Sequence, residues 1–442
     1  MTMSKESIGI GAATAVGIGG IIGAGIFVLS GTAIALAGVY SVLAFLLVGA
    51  IMIFVSFEFG ELATIMPNAK GAAYSYAREA FGSELGFVTG IIQFFGYSTA
   101  ISAIALGFGS YMYSLIGMHY GMGSIDYAIV LILIACIVNF KGIGKVSRAE
   151  SILVAFKIAI LIIFVLFAIY LTAGKAGSFV SNFSALPSQS TAAAFFAASI
   201  AIIFAYSGFQ SITTFASRIK GGSRGAAKAV ITAVVASMVI YLLVVVALIA
   251  MVPATSYKIN ADPLSFALTA VSAPQWIHIL VNIGALVATT TAALAMMIAA
   301  SRILYQIGVD GLLPHIVRRY DAKADVPING VLISAGLAIV MLFAGNIYVI
   351  ASISNFGSIL AYVLASMAII HFRRIKSVVR KFSTPLYPWT PAIVIIFMLI
   401  YIASMPPGAL YLDIVIIIGL IVVYYMLREK EHKRPVRIRF FR

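Results

Sequence analysis

Residues 17–27 read Gly17-Ile18-Gly19-Gly20-Ile21-Ile22-Gly23-Ala24-Gly25-Ile26-Phe27, with five glycines in nine positions of an otherwise aliphatic run. Glycine weakens a helix by about 1 kcal/mol relative to alanine. The stretch therefore predicts unwinding inside the apolar segment that holds it, residues 9–37. Nucleotide binding does not fit these glycines: no Lys-Ser/Thr follows, as a phosphate loop needs, and no strand precedes, as a dinucleotide turn needs. Close helix packing stays open beside unwinding, because Gly19 and Gly23 form a GxxxG pair.

The setting of this run is a membrane. Of 442 residues, 62% are hydrophobic and 10% charged, against about 25% charged in soluble domains. A water-soluble fold exposes too much surface to be covered by so few charges. Apolar runs lie at 9–37, 39–66, 86–116, 126–140, 149–173, 191–217, 226–252, 275–305, 327–344, 346–371, 389–405 and 409–427, which predicts an all-α integral membrane protein with twelve transmembrane helices. The runs are too long and unbroken for barrel strands. Residues 67–85, between the second and third runs, are short and amphipathic. The start, MTMSKESIGIGAATAVG, has no small-residue cleavage site, so the first run reads as a retained span.

An even number of spans puts both termini on one side. With that side cytoplasmic, only Lys175 and Lys258 of the 29 Lys and Arg fall in outer loops and Lys157 inside a span. The rest face inward, as the positive-inside rule requires. The basic tail, REKEHKRPVRIRFFR (428–442), reads as an anchor on anionic lipid headgroups rather than a nucleic-acid arm. A single cysteine, Cys136, excludes a disulfide framework within the chain.

A second interruption sits in the sixth run: Phe204-Ala205-Tyr206-Ser207-Gly208-Phe209-Gln210. The first and sixth runs are equivalent members of two five-span halves, and matching breaks in two halves point to a transporter's binding site. In the fifth run, Lys157 lies within AESILVAFKIAILIIFVLF, where a charge costs about 2.5–3.5 kcal/mol. On the residues alone two readings stand. Lys157 is either functional, or it snorkels to the inner interface, since it lies nine residues past Arg148, about 13 Å along a helix. Glu58 and Glu61 lie one turn apart near the inner end of the second run. His278, His315 and His371 read as packing or interface residues, Asp310 as a cap, and Met296 and Met297 as core fillers. An enzyme in the bilayer would need a paired acid–base set, which one lysine does not supply.

Five motifs, in order, resemble the amino acid–polyamine–organocation superfamily of transporters: GGIIGAGIF (19–27), GELATIMPNAKGAAYSYAREAFG (60–82), FAYSGFQ (204–210), SRILYQIGVDGLLP (301–314) and SILAYVLASMAIIHFRR (358–374). The resemblance implies the LeuT-type fold, a 5+5 inverted repeat with broken first and sixth helices, plus two extra C-terminal helices. Its divisions would be 1–173, 191–374, 375–427 and the tail 428–442. It further implies that an amino acid binds at the two breaks. Amides around Gly23, Ala24 and Gly25 would take the carboxylate. The carbonyls of Ile21, Phe204 and Ser207, with Gly208 beside them, would take the ammonium. Phe204, Tyr206, Gln210 and Glu61 would gate.

Three departures stand out. Ala24 replaces a serine of many relatives and Gln210 replaces an acid, while Ser217-Arg218-Ile219-Lys220-Gly221-Gly222 replaces an acidic pair followed by Asn-Pro. The superfamily's proton-coupled members place a lysine nine residues after the arginine of an Arg-Ala-Glu triplet, as Arg148-Ala149-Glu150 and Lys157 do here. That implies coupling through Lys157, with Gly19, Thr290 and Thr291 as its neighbours, and protons rather than sodium or any metal as the coupling ion. The expectation is proton symport of neutral amino acids across the cytoplasmic membrane, with an amino acid exchanger, or a carrier of cationic amino acids or polyamines, as alternatives. The expected partners are the amino acid and membrane lipids, with no nucleic acid.

Overall fold

A computed structural model describes residues 9–66, 73–117, 121–141, 146–173, 180–183, 192–210, 212, 219–375 and 380–431. Residues 67–72, Lys175, Ser217-Arg218 and 432–442, which carried expectations above, lie outside the described residues. The described chain is helical, with no strand beyond an isolated bridge between Asp321 and Val326.

The first apolar run forms two helices, α1 (Ile10–Ile21) and α2 (Ala24–Ala37), separated by Ile22 and Gly23. Gly38, at φ +58°, turns the chain through one 3-10 turn into α3 (Ser41–Ile65). A short amphipathic helix, α4 (Ala73–Phe81), occupies part of the predicted 67–85 segment, and Gly82 at φ +92° leads into the long α5 (Ser83–Ile116). Then come α6 (Ser124–Phe140), whose first turn is capped by Asp126 accepting from the Gly123 N–H at 2.8 Å, and α7 (Val146–Thr172). The sixth run gives α8 (Ala192–Tyr206), which stops at the predicted interruption. The remainder is α9 (Gly222–Met251), α10 (Pro263–Ala270), α11 (Gln275–Val309), α12 (Ile328–Met341), α13 (Ile347–Arg374), α14 (Trp389–Ala403) and α15 (Pro407–Glu431). Asn346 caps α13 by accepting from the Val349 N–H at 3.0 Å.

Helix α5 is the hub, lying against α11, α13 and α6, while α2 packs on α8 and α3 on α9. Among the described residues, six helical stretches are long and apolar enough to cross a membrane, and α14 with Pro407–Val422, bent by 111°, makes up to seven. Four further apolar helices have 10–17 residues: α1, α6, α8 and α12. The twelve hydropathy runs differ from these seven for physical reasons. The break divides the first run into halves, and Ala24–Ile65 is one apolar stretch of 42 residues joining the second of those halves, the Gly38 turn and the second run.

Candidate functional site

The two interrupted helices meet at their breaks. Gly208 adopts φ +116°, a conformation open to glycine, and a Cβ there would run into the Gly20 carbonyl. A Cβ on Gly25 would run into the backbone of Ala205, and one on Gly19 into Val154 of α7. The packing and unwinding readings of the glycine run therefore both hold: the glycines that let the chain unwind also let its neighbours approach.

Ile21, Gly23, Ala24, Gly25, Phe204, Ser207 and Gly208 all lie at these two breaks. Helix α2 begins at Ala24 with no side-chain cap, and the first N–H groups of a helix have no intrahelical partner. That end of the break is rich in donors. The opposite ends hold carbonyls that already accept. Ile21 O accepts from the Gly23 N–H and from the Tyr241 hydroxyl, each at 2.7 Å. The same hydroxyl lies 2.8 Å from Ala205 O. Phe204 O accepts from the Ser207 N–H at 3.2 Å, and Ser207 Oγ donates to Ile203 O at 3.2 Å. Tyr241 belongs to α9, and its ring is fixed by Tyr206 (centroids 5.1 Å apart) and by Phe45 edge-on at 6.1 Å.

Just past the second break, Gln210 uses both ends of its amide. Its Oε1 accepts from the Gly208 N–H at 2.9 Å, and its Nε2 donates to the Tyr362 hydroxyl of α13 at 2.6 Å. A carboxylate at this position would accept from both. The amide instead holds the break with no charge. Phe209 stacks on Tyr362 with centroids 6.1 Å apart, and Phe59 of α3 stands edge-on to both at 5.7 and 5.9 Å. Tyr76 of α4 closes the cluster at 6.0 Å from Phe59. The Tyr206 hydroxyl donates to Phe45 O at 3.3 Å, away from the breaks.

Lys157 is 2% exposed. Its Nζ donates to Gly19 O at 3.2 Å and to Thr291 Oγ1 at 3.3 Å, so α7 is tied to α1 and α11 two residues before the first break. A buried ammonium needs such oxygens to offset its desolvation. Its position is not a snorkelling one. Thr290 Oγ1 donates to Leu286 O at 2.7 Å.

Glu61 stands apart from this group. It is fully buried, receives Arg373 in a two-pronged pair at 3.0 and 2.7 Å and the Thr384 N–H at 2.7 Å, and has Arg380 Nε at 3.7 Å. Arg373 also sits 4.2 Å from the centre of the Tyr387 ring. The knot joins α3 to α13 and to the segment before α14. Glu58, one turn earlier, accepts from Ser366 Oγ at 2.6 Å. Asp310 does more than cap: it receives Tyr74 Oη and Arg78 (2.5 Å) from α4, and Gln306 Nε2 at 3.2 Å.

Sequence reading passed over Tyr241, Tyr362 and Arg373. A tyrosine within an apolar run looks like packing, and an inner arginine looks like topology. A polar-tipped ring inside VASMVIYLLVVV is the one local signal that was present, because a buried hydroxyl requires a partner.

The sequence signature of the family described as amino acid permease matches residues 13–433. The chain is 28% identical to the methylthioribose transporter of Bacillus subtilis (strain 168) over 438 residues, 95% of this chain and 92% of that one. It is 28% identical to the branched-chain amino acid permease BcaP of Lactococcus lactis subsp. cremoris (strain MG1363) over 440 residues, 95% and 94% of the two chains. It is 24% identical to the vacuolar cationic amino acid transporter 2 of Arabidopsis thaliana over 383 residues, 81% of this chain and 58% of that protein.

Proposed function

The chain belongs to the amino acid permease family, and on that premise we propose that it is a proton-coupled symporter of neutral amino acids. Its family makes it a multi-pass membrane transporter and not an enzyme. The reading goes further, to twelve spans in a 5+5 inverted repeat (1–173 and 191–374) with two added helices (375–427) and a basic tail (428–442). Both termini face the cytoplasm across the cell membrane.

The observation that carries the proposal is the placement of Lys157, whose ammonium rests on Gly19 O of α1 and Thr291 Oγ1 of α11 beside the first break. A cation bound by oxygens from two helices holds them together. Losing its proton removes the charge that makes those contacts favourable, so the proton's arrival and departure bias the helices between two arrangements. The ammonium does the work of a bound metal cation, and sodium has no part in the cycle. The substrate carboxylate goes to the uncapped start of α2, and its side chain lies under Phe204. Gln210 and Tyr206 shape the inner approach, and Glu61 fixes the inner end of α3.

Neutral side chains are favoured because Ala24, Ser207, Gln210 and the surrounding aromatics put no charge in the pocket to pair with a cationic one. The name of the Lactococcus relative points the same way. A second reading, an exchanger with Lys157 as a permanent cation, draws on the same two contacts. The test is uptake of a labelled panel of neutral and cationic amino acids into sodium-free proteoliposomes loaded with a pH dye. Neutral amino acids entering together with protons support symport. Movement only into vesicles preloaded with amino acid, without acidification, means exchange. Preference for arginine or lysine overturns the neutral assignment.

A further inference from the structure

Two of the three carbonyls that a ligand's ammonium would take, Ile21 O and Phe204 O, already have donors. The Tyr241 hydroxyl is 2.7 Å from Ile21 O and 2.8 Å from Ala205 O, so one side-chain oxygen reaches the last turns of both α1 and α8. Tyr241 is fully buried, and its ring is held on two sides by Tyr206 and Phe45. Two carbonyl dipoles converging on one point form a cation site, and here a neutral O–H fills it. The Gly23 N–H adds a second donor to Ile21 O, and the Ser207 N–H serves Phe204 O. A buried acceptor left unpaired is destabilising; a break without Tyr241 would stay so until a ligand ammonium arrived.

We propose that Tyr241 is a positioning and specificity residue whose hydroxyl stands in for the ligand's ammonium, so that the site accepts small apolar 2-hydroxy carboxylates as well as the matching amino acids. This rests on the reading of the breaks as a carboxylate-binding substrate site. The donor-rich start of α2 binds the carboxylate in both ligand classes. Ile21 O and Phe204 O, already satisfied, do not demand a positive group from the ligand. A carbonyl oxygen has two lone pairs, so an ammonium still fits at Ala205 O and Phe204 O, each with one donor, whereas Ile21 O already has two. A ligand hydroxyl in its place leaves neither Ile21 O nor Phe204 O unpaired.

Removing the hydroxyl reverses this. In Tyr241→Phe the one O–H that Ile21 O and Ala205 O share is lost, and Ile21 O keeps only the Gly23 N–H. An ammonium then repairs the site better than a hydroxyl does, because a charged donor makes the stronger hydrogen bond. The experiment is competition against labelled leucine uptake in proteoliposomes by unlabelled leucine and by 2-hydroxyisocaproate, its amine-free counterpart. It is run for the wild type, Tyr241→Phe and Tyr257→Phe. Tyr257 is another buried tyrosine whose hydroxyl serves a carbonyl, Leu248 O at 2.7 Å, away from the breaks.

In the wild type the hydroxy acid should compete within about tenfold of leucine. In Tyr241→Phe the ratio of the two inhibition constants should widen by at least about tenfold, the size expected for one buried unpaired acceptor, while leucine is still carried. Tyr257→Phe should keep the wild-type ratio. A wild type that takes leucine and ignores the hydroxy acid overturns the inference whether or not Tyr241→Phe assembles. An unchanged ratio in Tyr241→Phe, or an equal widening in Tyr257→Phe, overturns the role given to Tyr241. If labelled leucine is not carried at all while another amino acid is, the pair is replaced by that amino acid and its hydroxy acid. If no amino acid is carried, the transport reading fails and this inference falls with it.

Discussion

Gly208 is held by backbone, and Gly25 by the backbone and Cβ of Ala205. A methyl group on Gly25 meets the main chain of Ala205, and one on Gly208 meets the Gly20 carbonyl at a φ of +116°. Neither obstacle is a flexible side chain that can swing away. Gly25→Ala and Gly208→Ala should therefore each lower substrate affinity by at least about tenfold, since forcing apart a packed contact costs about 1–3 kcal/mol. Gly336→Ala, where nothing lies within 4 Å of the added carbon, should leave affinity unchanged; equilibrium binding in detergent measures all three. At this scale the sequence is readable where a residue is out of place. Five glycines in an aliphatic run and one lysine in an apolar helix both stand out, and both lie at the breaks. Tyr241 does not stand out, because its importance comes from the two carbonyls that tertiary packing brings to it, and no spacing rule links residues 21, 205 and 241.

The elements are tied at their ends by two polar knots of different strength. Glu61 is fully buried, and its partner Arg373 has a side chain 17% exposed. Removing one member strands the other, which costs about 3–5 kcal/mol for a buried pair. Glu61→Gln and Arg373→Gln should each lower the unfolding midpoint strongly in detergent. The double variant should be less damaging than the sum of the two, because the charges are removed together. The contact of Arg78 with Asp310 is looser, as the arginine side chain is 41% exposed. Solvent screening limits it, and Arg78→Ala should cost about 1 kcal/mol or less by the same measurement. Helix existence was legible from hydropathy, and the amphipathic α4 from its charge pattern. The attachment of α4 to the end of α11 through Asp310 was not, since an aspartate before Gly-Leu-Leu-Pro reads locally as a cap. The partners Tyr74 and Arg78 are more than 200 residues away in sequence.

Across the whole molecule, the membrane character and the two meeting breaks follow from composition and glycine placement, because few charges and paired interruptions leave few alternatives. The span count is less direct. The first run comes as two halves and the second follows it without a polar gap, so length alone merges or divides what hydropathy separates. The proposed topology puts Lys258 outside and Lys381 inside, and both are exposed. In a Cys136→Ser background, a cysteine at 258 should react with an impermeant maleimide from outside intact cells, and one at 381 only after permeabilisation. The reverse pattern would invert the topology. The most direct test of the central claim is leucine accumulation in sodium-free proteoliposomes under an imposed inward proton gradient, compared with equilibrium exchange in the same vesicles, for the wild type and Lys157→Ala. Gradient-driven accumulation by the wild type that is lost in Lys157→Ala, with exchange kept, is the predicted result. Accumulation that survives the loss of Lys157 would contradict coupling through that lysine.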